Sequence, residues 1–415
     1  MAKKKKSKTA IDINTVLYAH SKRLNDLENN TIRHNESPTE ATWESVYNNA
    51  KKQVGDIEDI DILFSQEELL AMGEELARLN SEYNELHRLD SLDLYISAFS
   101  GIVGACVEIL LIGIPQRSSE GLKAKPLSDW IRKAFEERFP PEEMNRLAND
   151  MSSKVPYDAQ DNRNTTVYVE GLSAYYHRLL SLGHDPFLGL IVGVFDIITG
   201  RMTTIDKNGV FVSQVMENYS DRREINIFVA IAKQLRHFAS DINTSMGLPA
   251  PLMSICNLFQ FGEFGEYEQT IAEIVQGMYY EGFDFIHFCS LSVSSILIEV
   301  ITRVGYAIKR IGKEGCSIKD SIPFSLKRDK HPKLATMLFV SHSLATAANA
   351  EKVYFTKNPV AINSVEWSLF SFYAYKQMKW WLMEKPLARS RYVVNGIDDQ
   401  LSDLYKSIDD AIELS

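Results

Sequence analysis

One long apolar stretch constrains the fold of this chain more than any other feature of the sequence. Residues 94–115 read LYISAFSGIVGACVEILLIGIP, which is 22 residues with one charged member, Glu108. As a helix the stretch would be about 33 Å long, and the hydrocarbon core of a bilayer is about 30 Å thick. Gly101 and Gly104 would let a second helix approach its backbone closely. The stretch therefore predicts a membrane-spanning helix or, alternatively, the buried central helix of a soluble bundle with Glu108 paired to a basic residue.

Further apolar segments also have helical character. Residues 186–200 contain Gly189 and Gly193 in GxxxG spacing, but the segment is too short to span a bilayer. It predicts a re-entrant or buried helix. Longer apolar or aromatic helices are predicted at 285–306, 334–350 and 365–383.

Alternation typical of β-strands is scarce in the chain. The best candidate is a short hairpin over 202–212, with Asn208 and Gly209 as its turn. An amphipathic helix is predicted over 61–89, where leucines recur at helical spacing between acidic residues.

Composition divides the chain into four parts. The apolar fraction of 45% is ordinary for a folded protein, and the net charge of −10 excludes a general nucleic-acid coat. We predict a mainly α-helical bundle with glycine-containing apolar helices, one or more of them candidates for membrane insertion. The predicted parts are a basic disordered tail at 1–10, a polar helical N-terminal region at 11–90, an apolar helical core or membrane region at 91–385 and an acidic C-terminal helix at 386–415.

The cysteines and the N-terminus indicate a reducing compartment. The four cysteines lie far apart and form no CxxC pair. The lysine-rich start is followed by polar residues and not by the apolar core of a secretory signal. We therefore expect reduced thiols and synthesis on the cytoplasmic side.

Histidine and aspartate pairs are the only pattern in the sequence that points to a metal. His184 is followed directly by an aspartate, as in metal phosphohydrolases, and His177 lies seven residues before it. Two further pairs have helical spacing, one four residues apart and one, Asp284 with His287, three apart. Together such pairs could ring a divalent ion. The candidate ligands are His184, Asp185, His237 and Asp241.

The alternative interpretation of these pairs is structural. Asp185 stands beside Pro186, where it would cap the following helix. The chain contains no GxSxG, P-loop, HExxH or post-strand GxGxxG motif, and Ser341-His342-Ser343 suits helix–helix hydrogen bonding as well as catalysis. The sequence therefore favours a protein that is not an enzyme and predicts no cofactor.

Four segments of the sequence resemble those of a known group of proteins. They are GHDPFLGLIVGVFDIITG (183–200), GLPAPLMSICNLFQFGEFGE (247–266), GFDFIHFCSLSV (282–293) and HPKLATMLFVSHSLATAANAEKVYFTKNPVAIN (331–363). The chain resembles, over much of 94–385, a family of uncharacterised bacterial helical proteins carried on mobile elements. Its apolar segments are similar to those of membrane effectors such as the channel component of Hailong-type anti-phage systems. The resemblance implies a role in defence and assigns no role to any residue.

Three functions remain open at this point. The first is an oligomeric membrane effector that forms or gates an ion pathway across the bacterial inner membrane, with a cytoplasmic N-terminal region and a ring of Glu108 carboxylates. Its expected partners are the lipid bilayer, further copies of the chain and a regulatory partner from the same operon, with no small-molecule substrate. The second is a soluble helical metal-dependent hydrolase. The third is a soluble scaffold that binds proteins through the 61–89 helix.

Overall fold

The computed structural model describes Lys22 and residues 65–118, 121–123, 125–264 and 267–413. The predicted tail at 1–10 and most of the predicted region at 11–90 lie outside the described residues. The chain divides into two units, Met1–Leu76 and Ala77–Ser415, and the sites discussed below lie in the second unit.

The described residues are mainly α-helical, as the apolar periodicity predicts. They contain 13 α-helices and two two-stranded antiparallel sheets. The helices are α1 Gln66–His87, α2 Ser91–Val107, α3 Pro126–Arg138, α4 Pro141–Asn149, α5 His177–Leu180, α6 Val192–Thr199, α7 Ile227–Ile242, α8 Ile271–Glu281, α9 Phe285–Gly312, α10 Ile318–Ser321, α11 Leu334–Thr356, α12 Ser364–Lys379 and α13 Lys385–Glu413. The strands are β1 Gln116–Ser118, β2 Gly121–Lys123, β3 Arg201–Ile205 and β4 Phe211–Val215.

The long apolar stretch forms one continuous helical segment. Helix α2 begins at a capping box, in which the Asp90 side chain accepts from the Asp93 amide and the Asp93 side chain accepts from the Asp90 amide. The helix continues into a π-helical turn, Glu108–Ile112. It ends at Gly113, whose φ of 65° is a conformation that glycine adopts without steric cost.

Helices α2, α9 and α11 pack together through small and polar side chains. A Cβ atom placed on Gly101 would lie 2.5 Å from the Ser341 carbonyl oxygen, and one on Gly104 would lie 2.4 Å from a side-chain atom of α9. The Ser100 hydroxyl lies 2.7 Å from that of Thr302 and 2.9 Å from that of Ser341. These contacts bring the three helices close together and place hydrogen-bonded hydroxyl groups between them.

The outward faces of the same helices are apolar. On α2 the exposed side chains include Tyr95, Phe99 and Ile102. On α9 they recur every fourth residue, at Ile296, Val300, Val304 and Ile308. The helical stretch Gln66–Ile112 and helix α9 are long and apolar enough to cross a membrane, a condition that core helices of soluble proteins also meet.

A second layer contains helices α6 and α7 and the hairpin β3–β4. The predicted hairpin is confirmed, because β3 pairs antiparallel with β4 in the register Arg201↔Val215. Gly209 lies in its turn with a φ of 81°. The Asp196 carboxylate on α6 accepts hydrogen bonds from the amide and the hydroxyl of Thr203 on β3. This layer positions the side chains of the candidate site.

Candidate metal centre

Helix α7 supplies two of the candidate ligands. It begins at Asn226, whose side chain accepts hydrogen bonds from the amides of Phe228 and Val229. His237 and Asp241 are four residues apart and therefore lie on the same face of the helix. Both side chains are buried, at 4% exposure each.

Two histidines and an aspartate approach this face from irregular segments. His177 is the first residue of the short helix α5, and His184 ends the 3₁₀ turn Leu182–His184. Asp158 lies in the loop between α4 and α5, and its side chain retains 26% exposure. The two imidazoles are buried, at 2% and 0% exposure.

The five side chains form two overlapping groups that share His184. Within each group the potential ligand atoms all lie within 4.8 Å of one another. Two ligands bound at about 2.1 Å in a tetrahedral site lie roughly 3.4 Å apart. The observed separations are 3.4 Å for His177 Nε2–Asp158 Oδ1, 3.7 Å for His184 Nε2–Asp158 Oδ1, 3.7 Å for His184 Nε2–Asp241 Oδ2 and 3.4 Å for His237 Nε2–Asp241 Oδ2.

Three of these nitrogen atoms have no hydrogen-bond partner among the described residues. They are Nε2 of His177, His184 and His237, all of them buried. Oδ2 of Asp241 makes no hydrogen bond there either, but it forms an ion pair with Arg178. Buried polar atoms without a partner are rare, because each costs about 1–3 kcal/mol. A bound ion would give the nitrogen atoms near it a partner.

A glutamine clamp positions the turn that contains His184. Gln234 on α7 donates a hydrogen bond of 2.7 Å to the Gly183 carbonyl oxygen and accepts one from the Tyr157 hydroxyl. Gly189 and Gly193 leave room for this side chain, since a Cβ atom on either would lie within 3.0 Å of it. The two glycines that the sequence predicts for close helix packing therefore lie against Gln234, the residue that positions the His184 turn.

Arg178 adds a fixed positive charge beside the cluster. Its Nε atom lies 3.1 Å from Asp241 Oδ2, and its Nη1 donates a hydrogen bond of 2.7 Å to the Thr244 hydroxyl. The guanidinium thus holds the Asp241 carboxylate in place and partly balances the negative charge of the two aspartates.

Electrostatics favour the metal-binding protonation states of His184, Asp158 and Asp241. Burial lowers the pKa of His184 to about 4, so that the ring is neutral at pH 7. Burial raises the pKa of Asp158, but the nearby His177 and His184 rings outweigh it and hold the pKa well below its ordinary value. For Asp241 burial is likewise outweighed, chiefly by Arg178, and its pKa is lowered. Neutral imidazole and ionised carboxylate are the forms that bind metals.

The structure brings together three of the four predicted metal ligands. His184, His237 and Asp241 meet in the cluster. Asp185 does not join them, because its Oδ1 accepts hydrogen bonds of 2.9 Å from the amides of Phe187 and Leu188. This is the capping role that the alternative interpretation assigns to it.

The third pair that the sequence offers for the same ion lies elsewhere. Asp284 caps helix α9 by accepting a hydrogen bond from the His287 amide, and it forms a bidentate ion pair with Arg132. Sequence reasoning missed Asp158 as a ligand and noted His177 only for its spacing. The seven-residue spacing of His177 and His184 is the one signal that could have drawn attention to the second histidine.

Glu108, the predicted pore residue, lies inside the helical bundle at 2% exposure. Its carboxylate accepts a hydrogen bond of 2.5 Å from Lys352 and one of 2.9 Å from Asn349, both on α11. This is the buried pairing expected of the central-helix alternative. A ring of several Glu108 side chains stays a prediction about an assembly of chains.

No protein-family model, curated protein or solved structure matches this chain.

Proposed function

We propose that the chain is a metal-dependent hydrolase with one divalent ion bound at His184. The proposal is supported above all by the convergence of unpartnered imidazole nitrogens and carboxylate oxygens. Mixed imidazole and carboxylate ligands suit zinc, manganese or iron. Both ligand groups contain His184, and we assign them to one centre at this residue.

The charges around the centre favour an anionic substrate. Asp158 and Asp241 supply two negative charges, and Arg178 and the divalent ion supply three positive ones. The loaded site is therefore left with one net positive charge in a buried setting, where charge is weakly screened. Hydroxide or an anionic group such as a phosphoester would neutralise it.

The chemistry of such a centre is hydrolytic. A divalent ion lowers the pKa of a bound water to about 7 and provides hydroxide near neutral pH. Asp158 is the most accessible of the five ligands, with 26% side-chain exposure. Water and substrate would therefore reach the ion from the side of Asp158, since the other four ligands are buried.

The experiment combines metal analysis with a hydrolysis assay. We expect about one equivalent of zinc, manganese or iron per purified chain, and loss of that metal in His184→Ala. The matched control is His331→Ala, which removes a histidine that is also buried, at 4% exposure, but lies outside the cluster. The metal-loaded protein should hydrolyse bis(p-nitrophenyl) phosphate or p-nitrophenyl phosphate, and His184→Ala should not.

The outcomes separate the parts of this proposal. A bound metal without hydrolysis of either ester would overturn the hydrolase and leave a structural metal centre. Absence of metal after incubation with each of the three ions would overturn both.

A second function, membrane association of the central bundle, has its own support. Helix α9 and the helical stretch Gln66–Ile112, which contains α2, have the length and hydropathy of membrane spans, and the outward faces of α2 and α9 expose apolar side chains. In the full form of this hypothesis, several chains assemble in the bacterial inner membrane with cytoplasmic N-terminal regions and gate an ion pathway in anti-phage defence.

This second function is tested by fractionation and leakage. The chain should stay in the membrane pellet after washing at alkaline pH, and it should release ions from liposomes once activated. Glu108→Gln should then alter ion preference. A protein that is extracted without detergent as a monodisperse species would contradict membrane insertion.

A further inference from the structure

The segments that flank the metal cluster expose several large apolar side chains. The segment around α6 follows directly after His184 and Asp185, and α7 carries two of the ligands. We define the α6–α7 apolar face by its members, which are between 38% and 78% exposed. They are Phe187, Leu190, Ile191, Phe195, Ile227, Phe228, Ile231 and Leu235.

The two parts of this face belong to neighbouring elements. The inward side of the α6 segment packs on α7, because Gly189 and Gly193 lie against Gln234. The Glu224 amide, just before α7, donates a hydrogen bond of 3.1 Å to the Ile197 carbonyl oxygen on α6. The inward residues of both helices are therefore used for packing, and the apolar residues point away from the core.

The dimensions of the face favour a surface contact over a membrane crossing. Helix α7 has 16 residues and α6 has eight, so they are about 24 Å and 12 Å long. A bilayer core is about 30 Å thick. Helices of this length with one apolar side bind in the plane of a membrane interface.

The charges around the α6–α7 apolar face indicate which kind of surface it binds. The exposed side chains of α7 from Ile227 to Leu235 include no charged residue, since Lys233 is buried and donates to the Arg222 carbonyl oxygen. Arg223 and Arg236 are exposed at the borders of the face, in a chain whose net charge is −10. Anionic headgroups would neutralise these two arginines.

We infer that the α6–α7 apolar face docks on an anionic lipid bilayer and holds the neighbouring metal centre at the membrane surface. The inference gives the proposed hydrolase a place of action next to lipid. It rests on the exposed face and its arginines, so it can fail while the metal centre stands.

The test is co-sedimentation of the full-length protein with vesicles of phosphatidylcholine, alone or with one third phosphatidylglycerol. The variant of the face combines Ile191→Ser, Phe195→Ser and Phe228→Ser. The matched control combines Val210→Ser, Ile318→Ser and Phe324→Ser, which replace exposed apolar side chains outside this face and outside helices α2 and α9. Metal content and the unfolding midpoint of each protein are measured on the same samples. They should not change, because the replaced side chains are exposed.

We expect wild type and the control to bind the anionic vesicles, and the α6–α7 variant to bind at least tenfold more weakly. Arg223→Gln combined with Arg236→Gln should remove the preference for phosphatidylglycerol. Binding of the α6–α7 variant at the wild-type level would overturn the inference. Failure of wild type to bind either vesicle, or loss of a wild-type dimer in the variant, would overturn it as well.

Discussion

The Nε2 atom of His177 lies 3.4 Å from Oδ1 of Asp158, and Nδ1 of the same ring lies 3.0 Å from the Ala174 carbonyl oxygen. A carbonyl oxygen can only accept, so Nδ1 is the donor in the second contact. A backbone carbonyl on Nδ1 is the usual support of a histidine that binds a metal through Nε2. A cation between Nε2 and the Asp158 carboxylate would bind both groups.

The two aspartates of this region should respond differently to substitution. Asp158→Asn should weaken metal binding at least tenfold, because an amide is a poorer ligand than a carboxylate. Asp185→Ala should lower the free energy of unfolding by about 1 kcal/mol, the usual cost of a lost cap, and change metal affinity less than threefold. Calorimetric titration with zinc and urea unfolding measure the two quantities. Equal losses of metal affinity in both variants would contradict the assignment of ligands.

The Glu108–Lys352 pair should behave as a buried ion pair. Lys352→Met leaves the Glu108 carboxylate buried with Asn349 as its remaining partner. We expect the free energy of unfolding to fall by about 3–5 kcal/mol, and most of it to return when Glu108→Gln is added. Urea unfolding of the single and double variants measures this. Additive losses in the double variant would show that the two side chains are not coupled.

His342 should make the stability of the protein depend on pH above neutrality. Its Nδ1 lies 2.7 Å from Glu366 and its Nε2 3.6 Å from Glu299, which also binds Arg303 and the hydroxyl of Tyr373. Burial lowers the pKa of His342, but the two glutamates outweigh it and raise the pKa to about 9. The proton is therefore held more tightly in the folded state than in the unfolded state, where the pKa is about 6.5.

This raised pKa stabilises the fold fully below about pH 6.5, and the stabilisation is lost as the pH rises through about 9. The free energy of unfolding should decrease across that window by at most about 1.4 kcal/mol per pH unit. His342→Gln should flatten the slope. Unfolding at a series of pH values measures it, and an identical slope in the two proteins would contradict the prediction.

Gly189 should tolerate no side chain. A Cβ atom there would lie 2.3 Å from the carbonyl oxygen of Gly183, which precedes His184. Gly189→Ala should cost about 1–3 kcal/mol of stability and weaken metal binding, because the turn that carries the ligand must move. The control is Gly277→Ala in helix α8, where the nearest atom is 4.0 Å away and alanine should slightly stabilise the helix. Equal metal affinity in wild type and Gly189→Ala would show that the Gln234 clamp does not position the ligand His184.

Local patterns of the sequence predicted much of the helical framework. The helix predicted at 285–306 begins at Phe285, where Asp284 caps it, and continues to Gly312. The pair His237–Asp241 meets because both members lie on one helix, and a spacing of four fixes their common face. Such features depend on neighbours in the chain, so the sequence displays them directly.

The remaining part of the candidate site depends on contacts between distant segments. Asp158 lies in a loop without periodic signal, and it reaches the histidines because the buried Tyr157 side chain bonds to Gln234. His177 and His184 do not share a helix, because α5 ends at Leu180. The burial of Glu108 likewise depends on Lys352 of α11, a partner that no local pattern identifies.

Cobalt binding tests the central claim most directly. Titration of metal-free protein with Co²⁺ should saturate at about one equivalent per chain. It should produce intense visible bands of a low-symmetry site with nitrogen and oxygen ligands. His184→Ala should give only the pale spectrum of the hydrated ion, and His331→Ala should match wild type. A wild-type spectrum identical to that of hydrated cobalt would contradict the metal centre.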